Sequence, residues 1–185
     1  TSELIPNDDC TETQTACLEE PHGGQPEVDE GVFERVLLYT RAVAVPVRRK
    51  ANDPTVLEGK VLFRQVGCDS CHTPNHTTGA AAIPELESQL IWPYTDLLLH
   101  DMGEGLADNR PLGVATGREW KTPPLWGLGL VKAVNGHTRF LHDGRARSLE
   151  EAILWHGGEA LNSRNQFMAL SATERSKLLT YLGDL

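Results

Sequence analysis

The chain has 185 residues, of which 39% are hydrophobic, and a formal net charge of −9, enough for one domain with a core and an appendage. Residues 1–31 hold nine carboxylates and no Lys or Arg, while the remaining 154 residues balance 17 acidic against 17 basic side chains. The negative charge therefore belongs to an N-terminal arm, and no basic surplus exists to neutralise phosphates, which argues against a nucleic-acid partner.

The richest apolar run, residues 36–45, is interrupted by Arg41 and ended by Pro46. It is too short and too polar for a membrane span. The opening Thr1-Ser2-Glu3 has neither the charged start nor the apolar run of a signal peptide, so any export signal is expected to have been removed or to lie outside this chain.

Residues 1–28 mix Thr, Glu, Gly and Pro and read as extended loop. Cys10 and Cys17 lie within it, eight residues end to end. A disulfide between them would close a compact loop, with two free thiols as the alternative. An exported chain would favour the disulfide. Next, Val32, Val36, Tyr39 and Val43 fall at helical spacing over residues 29–45, with Asp29 and Glu30 at the positive end of the helix dipole. Arg48-Arg49-Lys50 follows Pro46 and reads as a solvated linker, with a role in meeting an anionic partner or a cofactor carboxylate as the alternative.

A second helix starts at the cap Asp53 and Pro54 and stops at Gly67, with Val56, Phe63 and Val66 on one face. Residues 73–147 are rich in Gly and Pro and lack a long periodic segment. Such a stretch in a compact domain is expected to wrap something, because it cannot supply its own core. Two capping boxes, Ser148 with Glu151 and Ser171 with Glu174, then open two closing helices. No convincing strand pair stands out. The expected class is mostly α, with long loops.

The informative string is Cys68-Asp69-Ser70-Cys71-His72. A C-x-x-C-H pattern attaches c-type haem. Two thiols at this spacing can form thioethers to both former vinyl groups of one porphyrin, and the adjacent imidazole then sits beneath the iron as its proximal ligand. A redox dithiol would need a βαβ context, and a zinc site would need a second Cys or His pair, for which His76 alone is a poor candidate. One covalent haem c is the expected cofactor. Its attachment takes place outside the bacterial cytoplasm, so the chain is expected to be periplasmic, which supports the Cys10–Cys17 disulfide.

The role of the haem depends on its other axial position. Met102, in a glycine-flanked loop, is the preferred sixth ligand, with His142 and His100 as alternatives; Met168 reads as a core thioether. The second nitrogen of His72 needs an acceptor, for which the Pro84 carbonyl is a candidate. Trp92, Trp120, Trp126, Trp155 and Phe140 are expected to wall the haem pocket. Arg118, Arg139 and Arg145 are candidates to meet the propionates, Arg145 foremost.

Several stretches carry a family resemblance. Glu58 to Phe63, leading into Cys68, resembles the N-terminal helix of class I cytochromes c, in which the Gly and Phe pack on the C-terminal helix. The strings at 95–103, 119–127, 141–146 and 152–160 resemble the C-terminal half of bacterial di-haem oxidoreductases, a family described as peroxidases and sometimes labelled thiol oxidoreductases. This resemblance implies a class I cytochrome c-like helical domain with haem-wrapping loops, distantly related to di-haem cytochrome c peroxidases. Against that pattern the chain has a single C-x-x-C-H, and Leu141 stands where some relatives place a methionine ligand.

Residues 1–50 are then expected to be an acidic arm linking to an absent N-terminal half, with 51–185 as the haem domain. Electron transfer to a redox partner protein or a second haem domain is the expected function. The alternative is a peroxidase-type oxidoreductase with an open iron site and a distal acid or base such as His100, His142 or Glu104.

Overall fold

A computed structural model describes residues 10–21 and 28–185. The loop expected over residues 1–9 and 22–27 lies outside the described residues. The chain divides into two compact units, one ending at Ala44 and the other running Val45–Leu185.

In the first unit Cys10 and Cys17 are joined as a disulfide with their Cα atoms 5.8 Å apart. The loop it closes is not wholly extended, because Thr15–Leu18 forms one helical turn, α1. The longer helix α2, Glu30–Ala42, begins where Asp29 Oδ1 accepts from the Val32 amide at 3.0 Å. It stops short of Pro46. Val43 is already extended (φ −61°, ψ 127°).

In the second unit helices outweigh strands, with long loops between them. It contains α3 (Pro54–Gln65), α4 (Val131–Asn135), α5 (Leu149–Trp155), α6 (Leu161–Ala169) and α7 (Ala172–Leu182). Strands also occur, contrary to expectation, as two short antiparallel ribbons. β1 (His76–Thr77) pairs with β2 (Leu90–Ile91), and β3 (Leu99–Asp101) with β4 (Glu119–Lys121), placing His100 opposite Trp120. Strands of two or three residues are too short to show an alternating pattern. Among the described residues no helix is long and apolar enough to cross a membrane.

Asp53 caps α3 through the Thr55 amide at 2.8 Å, and Gly67 ends its last turn at φ +79°, a left-handed position that suits glycine. Ser171 and Glu174 form a full capping box on α7. At α5 only half the expected box exists: Ser148 accepts from the Glu151 amide, but the Glu151 carboxylate turns to the Arg147 amide and guanidinium.

The core lies where α3 meets α7. Val56, Phe63, Phe167, Leu178 and Tyr181 are buried there, each contributing roughly 1.5–3 kcal/mol of apolar transfer. Gly59 permits the contact: a Cβ would overlap the Lys177 carbonyl and lie 2.7 Å from Tyr181 Cβ. Phe63 packs edge-on to Tyr181, with ring centroids 5.5 Å apart.

Two sequence expectations fail here. Met168 lies on α6 and is 55% exposed rather than in the core. Arg48-Arg49-Lys50 is no free linker. The Arg48 Nε and the Lys50 amide donate to the buried Asp184 carboxylate at 3.0 and 2.6 Å, and Arg49 donates to the Gly183 carbonyl at 2.8 Å. The basic run fastens the C-terminus.

Candidate haem site

Cys68 and Cys71 flank the turn that follows α3. The left-handed Gly67 reverses the chain so that Cys68, Cys71 and His72 face one cavity of about 450 Å³. Burial pushes the Cys68 thiol up to about 12, with Asp69 adding to the effect, and it raises the Cys71 thiol as well. A dithiol redox pair needs the opposite, a depressed thiol that ionises near neutral pH. The pair suits thioether formation better than thiol exchange.

His72 is held in the form a metal needs. Its Nδ1–H donates to the Tyr94 carbonyl at 3.0 Å, which leaves the Nε2 lone pair open. Burial pushes this imidazole down to about 4, keeping it neutral. The acceptor is thus Tyr94 and not Pro84, whose carbonyl receives the Glu87 amide. Tyr94 is buried and has a left-handed backbone (φ +57°), a conformation uncommon for a tyrosine.

The rest of the lining includes residues of the β3–β4 ribbon, the turn around Leu141, and α5. Met102, His100, Trp120, Phe140, Leu141, His142 and His156 all line the cavity. Trp120 donates from Nε1 to the Leu106 carbonyl at 3.0 Å and stacks on His142 at 3.5 Å between ring centroids.

His100 has no nitrogen to spare. Nε2 meets Asp96 at 2.8 Å and Nδ1 meets Glu159 at 2.9 Å. The Glu159 hydrogen bond, then that of Asp96, raises its pKa and favours the imidazolium. An ion would find Cys71, Asp96 and His100 close together, but the imidazole is already bound to both neighbouring carboxylates. Cys68 is not part of that group, which argues against a zinc site using the C-x-x-C pair.

The remaining expected site residues separate. Trp126 and Trp92 line a different cavity, of about 330 Å³, with Tyr94 and Leu185. Trp155 lies under the Arg145 guanidinium, 4.9 Å from ring centroid to Cζ. Arg145 is also paired with Asp143 at 2.6 Å and donates to the Gly105 carbonyl, so it is turned away from the haem cavity. Arg118 binds Asp101 and Glu104. Arg139 does line the cavity, as does Arg164, which the sequence reading did not single out.

His156 is the other residue missed. Its Nδ1–H donates to the Ala152 carbonyl at 2.7 Å, one turn back along α5, and burial lowers its pKa. The sequence signal was present in the string Trp155-His156-Gly157-Gly158, where a histidine at a helix end precedes two glycines.

These residues fit a haem. An apolar cavity holds two thiols and a neutral imidazole with its outer nitrogen free, with further donors and two arginines in its lining.

A family model described as "Di-haem oxidoreductase, putative peroxidase" matches residues 9–185. A solved structure of Kuenenia stuttgartiensis hydrazine synthase, pressurized with 20 bar xenon, shares the fold at a TM-score of 0.53 and 22% identity. The match covers 85% of this chain and 56% of that one, so this chain spans little more than half of it. No curated protein matches the chain. With nearly its whole length matched by the family model, the chain belongs to the di-haem oxidoreductase family.

Proposed function

We propose that this chain is a haem c redox module, carrying electrons through one haem attached at Cys68 and Cys71 with His72 as proximal ligand. The observation that carries this reading is the His72–Tyr94 hydrogen bond, which points a neutral imidazole's free nitrogen into a cavity shared with both cysteines. The haem supplies a one-electron Fe(III)/Fe(II) couple. The protein binds it, excludes water with Trp120, Phe140 and Leu141, and places Arg139 and Arg164 where propionates can be met.

The α3–α7 crossing at Gly59 and Phe63 supports a class I cytochrome c-like arrangement. Attachment of haem c implies export to the periplasm, where the Cys10–Cys17 disulfide is stable. The partner is a redox protein or a second haem domain, since the family is named for two haems and this sequence contains one C-x-x-C-H.

A peroxidase-type reaction is the second reading, favoured by the family's description and by His142. That imidazole lines the cavity, and among the described residues no protein group hydrogen-bonds either ring nitrogen, so it could serve as a distal acid or base. Glu104, the other distal candidate, is paired with Arg118 instead. Spectroelectrochemistry with and without hydrogen peroxide separates the two. Reversible one-electron cycling with no peroxide turnover supports the carrier; peroxide turnover by the purified chain contradicts it.

A further inference from the structure

His156 repeats the arrangement of His72 at another point of the same cavity. It is the C-cap of α5, with φ −60° and ψ 124°, so the chain leaves the helix at this histidine. The Ala152 carbonyl takes its Nδ1–H, and among the described residues no protein group takes Nε2. A carbonyl behind one ring nitrogen and an open lone pair on the other is the usual state of a metal-bound histidine. Both imidazoles line the same cavity.

The chain after His156 is pinned. A Cβ on Gly157 would come 2.9 Å from the Met102 carbonyl oxygen, and one on Gly158 would overlap the Asp101 carbonyl and lie 2.7 Å from the Gly103 nitrogen. Two glycines therefore let the 156–158 backbone lie directly on the 101–103 backbone. Glu159 then accepts from the Asp101 amide at 2.9 Å and holds His100 at 2.9 Å. His156 is fixed on the helix side by Ala152 and on the loop side by this backbone contact.

We propose that, given the haem reading above, His156 Nε2 is the second axial ligand, forming a bis-imidazole site with His72. The competing donors are less prepared. Both nitrogens of His100 are occupied. His142 is stacked face to face on Trp120, and among the described residues no hydrogen bond sets its tautomer. Met102 lines the cavity, but a thioether has no N–H through which a carbonyl fixes it as Ala152 fixes His156. A bis-imidazole site lowers the reduction potential relative to a His–Met site, so this module would serve a low-potential partner.

Optical and electron paramagnetic resonance spectra of the haem-loaded full chain test the assignment. The expected ferric protein is low-spin and lacks the red Met–Fe(III) charge-transfer band, and Met102→Ala leaves it unchanged. His156→Ala becomes high-spin and returns to low-spin on adding imidazole, a rescue that an unfolded variant would not show. His156→Met gains the Met band and a higher midpoint potential. A Met band in the unmodified protein that disappears in Met102→Ala would overturn the proposal, as would a high-spin unmodified protein or an unaltered His156→Ala spectrum. Absence of covalent haem would instead defeat the haem reading, and it is detected before any of these spectra are compared.

Discussion

Glu159 reaches back from the turn after α5 to His100 on β3, Oε2 to Nδ1 at 2.9 Å, and its other oxygen takes the Asp101 amide. Asp96 holds the far side of the same ring at 2.8 Å. An imidazole hydrogen-bonded to two carboxylates needs both N–H groups, so it needs its second proton.

That requirement gives the latch a pH dependence. His100 has a folded pKa above its ordinary 6.5, so its stabilising contribution is fully present below 6.5 and is lost as pH rises through the raised value. NMR titration should show His100 charging above pH 6.5, together with faster amide exchange in residues 158–160 as the proton leaves. His100→Gln should remove that alkaline step. A His100 that titrates at or below 6.5 would show the latch to be neutral.

Gly59 sets the separation of α3 from α7. Gly59→Ala is expected to destabilise the protein by about 2 kcal/mol, because strain at the Lys177 carbonyl outweighs the gain in helix propensity. At Gly79 a Cβ meets nothing within 4 Å, and Gly79→Ala should stay within about 0.5 kcal/mol. Urea unfolding of the two variants provides the comparison.

Asp184 is 4% exposed and holds both Arg48 and the Lys50 amide. Asp184→Ala leaves that amide without its acceptor and the guanidinium without its partner, so a loss of about 2–3 kcal/mol is expected. A near-neutral result in the same unfolding assay would mean that the basic run is the solvated linker its composition suggests.

Among the arginines, charge next to the haem favours the more negative, reduced form. Arg139→Gln should therefore lower the midpoint potential, while Arg145→Gln, whose guanidinium is taken up by Asp143 and Trp155, should change it less. Potentiometric titration of both variants gives the order; the reverse order would restore Arg145 to the cavity.

Features governed by neighbouring residues were legible in the sequence. The haem-attachment string needs five consecutive residues, and the caps at Asp53 and Ser171 need three or four. Gly59 and Phe63 were readable through the family resemblance. What failed depends on distant parts of the chain. Tyr94, rather than Pro84, backs His72 because a left-handed turn brings a carbonyl back from 22 residues away. Arg139 and Arg145 flank one tight turn containing Leu141 and Gly144, both at positive φ, and the turn's direction decides which arginine lines the cavity. The Gly157-Gly158 pair reads as a helix stop; its contact with Asp101 and Met102, which frames His156, appears only in three dimensions.

The central claim is covalent haem at Cys68 and Cys71. Mass spectrometry of the denatured chain, produced in a host able to attach haem c, tests it most directly. One haem should remain on each polypeptide after denaturation, and the Cys68→Ala, Cys71→Ala double variant should lose it. A denatured chain at the mass of the bare polypeptide, with Cys68 and Cys71 both open to alkylation, would contradict the account.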